Sequence, residues 1–416
     1  MKNNPFTSKK FVSIWAKHYN NGKSLINFNF IKNVSFTKSK NFPLYTNAAK
    51  NLTHGINYKI SECKEDDDYK NKVCFVFDVP SYFNVNTNVS LHHHSLKLKK
   101  IKQYNGYLAN LKEYTTFDAY LTDRFSSRSR RVFRKYINRL ETSFNIKYTI
   151  YYGMNITKLE YETLFSQFYM LLKKQSLKKG VINEALSNNK WVHLKELVYP
   201  LILEKKASLF VIYQEEHPIS ICLNYLSENI VFGSLSAFDS DFSKFNIGCI
   251  DNLKQLEWCF DNDFLMYDFS KGDFDYKTRW CNEIYNFEYH IFYDSESVIS
   301  KLFAFSLGNY YTIIQYFRNL KINVLFNKIK FFFKNKKNTT KEKKIAKIIP
   351  LNNLNEVGDL ELININNKKY LFLKKYVYAF LYMHSESLNE TEIYFIKSSI
   401  NDFIIKGKTK IEKLIF

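Results

Sequence analysis

Three apolar, β-branched runs, at 208–214, 218–226 and 230–238, follow one another within 31 residues. Runs this short, bounded by turn residues such as Glu215-Glu216-His217, read as buried strands. The meander has ordered neighbours on both sides. Residues 146–152 alternate as a strand, and 159–174 and 190–205 carry apolar residues at helical spacing. After the meander, 247–259 reads as a helix, 264–269 as a strand and 287–293 as a last strand. The order β-α-α-β-β-β-α-β-(α)-β predicts a mixed sheet flanked by helices, an α/β (α+β) architecture.

The chain of 416 residues exceeds one typical domain, and its 45% apolar and 24% charged residues exclude a disordered chain. No uninterrupted apolar run approaches the ~20 residues that span a bilayer. The opening Met1-Lys2-Asn3-Asn4-Pro5 lacks the apolar stretch of a secretory leader, so the expectation is a cytoplasmic protein. Six cysteines, at 63, 74, 222, 249, 259 and 281, form no CxxC pair and no zinc spacing. They read as reduced and mostly buried.

The net charge of +21 points to anionic partners, but Lys outnumbers Arg 53 to 8, the bias AT-rich codons produce. Where the charge lies is therefore more informative than its sum. Six of the eight arginines (124, 128, 130, 131, 134 and 139) fall within sixteen residues. There Phe133, Tyr136, Ile137 and Leu140 recur at helical spacing behind serine N-caps, with Arg131, Arg134 and Arg139 largely opposite. The planar guanidinium suits phosphate or carboxylate. A second zone, 301–350, holds twelve Lys or Arg against Glu342 alone. Its part at 301–333 interleaves cations with Tyr310, Tyr311, Ile314, Phe317 and Phe331-Phe332-Phe333, a pattern suited to an anionic membrane surface. Residues 335–344 contain no apolar side chain and read as a linker. Residues 349–416 alternate in short β-like pieces such as Lys369-Tyr370-Leu371-Phe372-Leu373.

Two constellations could carry chemistry. At 236–249 a strand crosses into a helix whose start, Asn246-Ile247-Gly248-Cys249, could present backbone N–H groups to an anion. At 267–280 a strand carrying Asp268 enters the turn Ser270-Lys271-Gly272-Asp273, then a short helix with Tyr276, Lys277, Arg279 and Trp280. Carboxylates, a phenol and cations beside a strand end are costly unless they pair or act. His92-His93-His94 has no carboxylate or Cys at ligand spacing, so no metal is expected. No Gly-x-Ser-x-Gly elbow argues for a hydrolase.

The Arg-rich helix, the meander, Ala237-Phe238-Asp239, the Gly248 helix and Asp268-Phe269-Ser270-Lys271-Gly272-Asp273 with Tyr276-Lys277 and Trp280 form a recognisable order. Over about 126–295 it resembles the BioF2-like, CelD-related acyltransferase domain of the GNAT type. That family's final motif runs roughly Asp-Phe-Gly-x-Gly-Asp-x-x-Tyr-Lys-x-x-Trp. Here Ser270-Lys271 replaces the commoner Gly-Arg, and Asn246-Ile247-Gly248 stands where Ser-Pro-Gly is frequent. Pro5-Phe6-Thr7-Ser8 with Trp15 is similar to the family's opening.

The resemblance implies two tandem GNAT-like halves: a degenerate one at 1–125 and the acyltransferase domain at 126–300. A basic aromatic helical segment and linker at 301–348 and a small β-rich module at 349–416 complete the expected division. It further implies transfer from acetyl-CoA or another acyl-CoA, without metal, to an amine or hydroxyl of a small molecule or glycan precursor. The acceptor attacks directly. Tyr276 is then expected to protonate the leaving thiolate and Asp273 or Asp268 to act as base. Asn246, Ile247, Gly248 and Cys249 would hold donor phosphate, and Lys277, Arg279, Arg131 and Arg134 other anionic groups. The alternatives are a FemABX-like aminoacyltransferase using charged tRNA, and a basic nucleic-acid-binding protein without catalysis.

Overall fold

The computed structural model describes residues 3–320 and 346–416, apart from residues 41, 51, 84, 86–92, 355, 356 and 400. Ten strands form one sheet: β1 (Phe36–Lys38), β2 (Leu44–Asn47), β3 (Val73–Pro80), β4 (Leu96–Asn110), β5 (Ile146–Tyr151), β6 (Ala207–Gln214), β7 (His217–Leu226), β8 (Ile230–Phe238), β9 (Met266–Lys271) and β10 (Glu283–Asp294). Their spatial order is β1-β2-β3-β10-β4-β9-β8-β7-β6-β5. The meander β6-β7-β8 is antiparallel, while β8 and β9 run parallel.

Strand β4 joins the two expected halves. It belongs to the first 125 residues, yet it lies between β9 and β10. Residues 1–125 and 126–300 therefore contribute strands to one continuous sheet.

The helices are α1 (Lys9–Tyr19), α2 (Phe117–Arg124), α3 (Ser127–Ser143), α4 (Lys158–Lys179), α5 (Asn188–Leu203), α6 (Ile247–Asp261), α7 (Asp275–Trp280), α8 (Val298–Asn319) and α9 (Lys374–His384). Local chemistry sets their ends. The α4 start is a capping box of Thr157 and Glu160, and Gly180 closes it in the left-handed region at φ 64°. Alternation along the strands sorts side chains to two faces. Ile221, Leu223 and Tyr225 of β7 join a core with α1, α4 and α5, whereas Cys222 and Leu226 face the side of α3 and α6.

A second sheet, antiparallel throughout, forms from β11 (Lys347–Leu351), β12 (Leu360–Leu362), β13 (Glu392–Ile396), β14 (Asp402–Lys406) and β15 (Ile411–Ile415) in the order β11-β15-β14-β13-β12. The β-like reading of 369–373 is corrected: these residues form a turn that enters α9. That helix packs against 240–245, where Tyr378 lies 4.6 Å from Phe242, centroid to centroid. The C-terminal unit thus braces the loop that leads into α6.

Helix α8 covers β3, β4 and β10 with Ala304 and Leu307 but leaves Ile299, Leu302, Phe305 and Ile313 exposed. No helix among the described residues is long and apolar enough to cross a membrane. The cations and phenylalanines expected at 321–334 lie outside the described residues.

Candidate active site

Strands β8 and β9 pair only through Ile230↔Met266, Val231↔Tyr267 and Phe232↔Asp268, although each continues further. An irregularity marks the parting on each side. Register shifts between Gly233 and Leu235 against β7, and between Asp268 and Ser270 against β4. Bulges bend strands locally, and here the strands part into a wedge. It opens a cavity of about 850 Å³, a size usual for small-molecule sites. The cavity is lined from both sheet faces: by Phe11, Leu197 and Tyr225 on the α1/α5 side, and by Cys249, Phe269 and Trp280 on the α3/α6 side.

Helix α7 brings Tyr276, Lys277 and Arg279 to this lining, and the start of α6 brings Asn246, Gly248 and Cys249. Asn246 sits in the left-handed region at φ 54° and offers no side-chain cap, and its carbonyl accepts from the Cys249 N–H at 2.8 Å, which leaves the Ile247 and Gly248 N–H groups as the uncapped start of α6. A Cβ on Gly248 would stand 3.6 Å from Phe238, ordinary contact distance. Ile247 turns instead into the core beneath α9. Arg131 and Arg134 are exposed on α3, and it is Phe133 between them that reaches the cavity and stacks on Trp280 at 5.5 Å.

The two carboxylates expected as bases do not line the cavity. Asp268 is fully buried. Its Oδ2 accepts from the hydroxyls of Tyr285 (2.6 Å) and Tyr82 (2.9 Å), and its Oδ1 from the Ser270 N–H (2.7 Å). Burial pushes its pKa up to about 6. Asp273 accepts from the Tyr107 hydroxyl at 2.6 Å. Both carboxylates, expected as bases, are thus engaged by donors of the motif and its neighbouring strands.

The lining carries five cations, Lys179, Lys190, Lys271, Lys277 and Arg279, against the single carboxylate Asp251. Lys190 pairs with Glu184, Lys271 with Asp78, and Lys277 donates to the carbonyls of Ser270 (3.2 Å) and Lys271 (2.5 Å). Lys179 and Arg279 make no ion pair among the described residues. Burial lowers Lys277 to about 8, and raises Tyr276 to about 12, which keeps the phenol protonated. A cation-rich, partly apolar cavity fits an anionic ligand with an apolar body.

Two residues that the sequence did not mark, His54 and Ser234, also line the wedge. His54, from the loop before β3, stands between Ser234 of β8 and Ser270 of β9, with ring nitrogens 2.9 Å and 2.7 Å from the two hydroxyl oxygens. A lone histidine in a loop carries no local signal, because its partners are 180 and 216 residues away. His93, by contrast, donates its Nε2–H to the Ser61 carbonyl at 2.9 Å and stays structural.

Residues 127–278 match the family model described as "Acetyltransferase (GNAT) domain". This part of the chain is similar to acyltransferase domains of the GNAT type. No curated protein matches the chain. Among solved structures, a conserved protein of unknown function from Bacteroides thetaiotaomicron is 10% identical at a TM-score of 0.45, over 70% of this chain and 92% of its own. FemX is 11% identical at a TM-score of 0.47, over 69% and 92%. L-PGS from Bacillus licheniformis is 10% identical at 0.40, over 66% and 85%.

Proposed function

We propose that this acyltransferase moves an acyl group, acetyl foremost, from CoA to an amine or hydroxyl of a sugar or cell-envelope precursor. Within the GNAT class we place it with the BioF2-like, CelD-related branch. The observation that carries the reading is the cation-rich wedge between β8 and β9, open to both sheet faces. Donor and acceptor can then meet from opposite sides, and attack needs no covalent enzyme intermediate. Backbone N–H groups at Ile247 and Gly248 and the Arg279 guanidinium would hold donor phosphate. The Tyr276 phenol would protonate the departing thiolate. Lys277, bound to two carbonyls, fixes the turn beneath it, and Lys179 remains for an anionic acceptor.

The enzyme would work in the cytoplasm at the inner membrane face. Exposed Ile299, Leu302, Phe305 and Ile313 of α8 support this, with Lys99 and Lys301 beside them. Apolar side chains bordered by lysines suit reversible contact with anionic lipid, at about 1 kcal/mol per Lys.

A second reading, aminoacyl transfer from charged tRNA, is favoured by one observation: Arg128, Arg131 and Arg134 lie exposed on α3 without an ion pair among the described residues. Thermal unfolding with each donor separates the two. Acetyl-CoA at a hundredfold excess over its dissociation constant should add about 2.7 kcal/mol, and aminoacyl-tRNA should add nothing. Stabilisation by aminoacyl-tRNA alone overturns the CoA reading.

A further inference from the structure

The wedge has a proton donor in Tyr276, and its lining includes Asp251 but neither Asp268 nor Asp273. What stands at its parting is His54. Its ring spans the gap between the strands, with Nδ1 2.7 Å from Ser270 Oγ and Nε2 2.9 Å from Ser234 Oγ. All three residues line the cavity. Neither serine is an ordinary strand residue. Ser234 is the residue β8 leaves out of its register with β7, so its hydroxyl belongs to the parting rather than to the ladder. Ser270 is held at φ 60°, a left-handed conformation that side chains other than Gly rarely adopt. The Asp268 carboxylate fixes it there through the Ser270 N–H.

The loop that presents His54 is fastened on both sides. Thr53 donates its hydroxyl to Asp78 Oδ2 at 2.8 Å, and Asp78 pairs with Lys271 of β9. The Gly55 carbonyl accepts from Asn4 Nδ2 at 2.8 Å, and the Ile56 N–H donates to the Asp78 carbonyl at 2.8 Å. Such bracing is what a preorganised reacting group requires.

We propose that His54 is the base of the transfer, taking the proton of the attacking amine or hydroxyl through the Ser234 hydroxyl, while Ser270 orients the ring. The inference rests on the acyl-transfer reading above. In the step, the acceptor heteroatom forms its bond to the acyl carbon and gives its proton to Ser234 Oγ. Ser234 passes its own proton to His54 Nε2, the thioester C–S bond breaks, and the thiolate takes the Tyr276 proton. The His54 proton then returns to the Tyr276 phenolate through solvent in the cavity, so no proton is gained or lost. Burial and the neighbouring Lys271 and Lys277 cations, offset in part by Asp78, hold the imidazole pKa down to about 3, so the resting ring is neutral and its lone pair carries no proton.

A purely mechanical clamp between the strands would make a different prediction, which allows a test on the full chain. The probes are acetyl-CoA binding, followed by thermal shift, and thiol release from acetyl-CoA with water as the acceptor. His54→Gln and Ser234→Ala should each lower kcat for thiol release about 10²-fold, with the acetyl-CoA thermal shift unchanged from wild type. Ser234→Ala keeps the test open should His54→Gln fail to fold. Turnover within threefold of wild type in both variants overturns the proposal. So does a loss that appears wholly as weaker acetyl-CoA binding, which makes His54 a clamp. A wild type that shows no acetyl-CoA shift overturns the donor reading itself. A wild type that binds acetyl-CoA yet releases no thiol overturns only the assignment of a base at His54.

Discussion

Strands β4 and β10 stay paired from Leu96↔Asp294 to Leu108↔Glu283, whereas β8 and β9 part after three pairs. The two ladders are close neighbours, since β4 also pairs with β9. Strength and openness are thus set side by side in one sheet. Asp268 stands at the boundary: it closes the short ladder and is held by Tyr285, which comes from the long one. Tyr285 reaches it because Gly106, directly opposite, has no side chain. A Cβ there would fall 2.1 Å from the phenol ring. The difference teaches that the wedge can remain open because the strand beside it is welded.

The largest effect should follow from damage to the weld. Gly106→Ala would displace Tyr285 and strip Asp268 of a buried donor. Overpacking and an unsatisfied carboxylate together predict a loss of about 3 kcal/mol or more, read from the denaturant midpoint. An unchanged midpoint would break the comparison. On the open side, the Tyr276→Phe substitution should cost about 10²-fold in turnover, roughly 2.7 kcal/mol of barrier, with stability within about 0.5 kcal/mol of wild type. Equal losses of stability and rate would erase the distinction between the two ladders.

At the boundary, Asp268→Asn should destabilise by about 2 kcal/mol at pH 4. The deficit should shrink towards pH 6. A carboxyl whose folded pKa is raised by burial stabilises the fold while protonated, and that contribution is lost as pH rises through about 6. A deficit that widens with pH would contradict the burial of Asp268. The smallest effect concerns His54, whose folded pKa is depressed. As pH falls below 6.5, the unfolded chain takes up a proton that the folded ring refuses. Wild type should therefore lose up to about 1 kcal/mol per pH unit relative to His54→Gln. Parallel stability curves between pH 6.5 and 4 would show that the ring is open to solvent.

Much of the fold was legible because burial imposes a period. The meander at 208–238 stands within one residue of its expected bounds, and α4, α5 and α6 fall on their apolar spacing. Strand β4 escaped because Lys97, Lys99, Lys100 and Lys102 interrupt its first half and blur the alternation. Helix α9 escaped because Tyr370, Leu371, Phe372 and Leu373 read as strand before a turn that no Gly or Pro announces. At the site, Gly248 was legible from one motif and Tyr276 and Arg279 from a second, and all three line the cavity. The carboxylates of the second motif lie outside the cavity lining, a placement the sequence could not show because it gives charge but not what receives it. His54 was out of reach altogether, since tertiary pairing alone gives it a role.

The place of β4 between β9 and β10 also bears on how the chain is made. During synthesis Asn110 emerges 156 residues before Met266, its first partner in β9. At 5–20 residues per second the delay is roughly 10–30 s. Throughout it, a strand of fifteen residues presents bare amide and carbonyl groups on both sides. Such edges invite pairing with other chains, and lysines discourage it by mutual repulsion and hydration. The four lysines between 97 and 102 hid β4 from a reading of the sequence. They also act as guards for a strand that must wait, unfinished, for the far end of its own sheet to be translated.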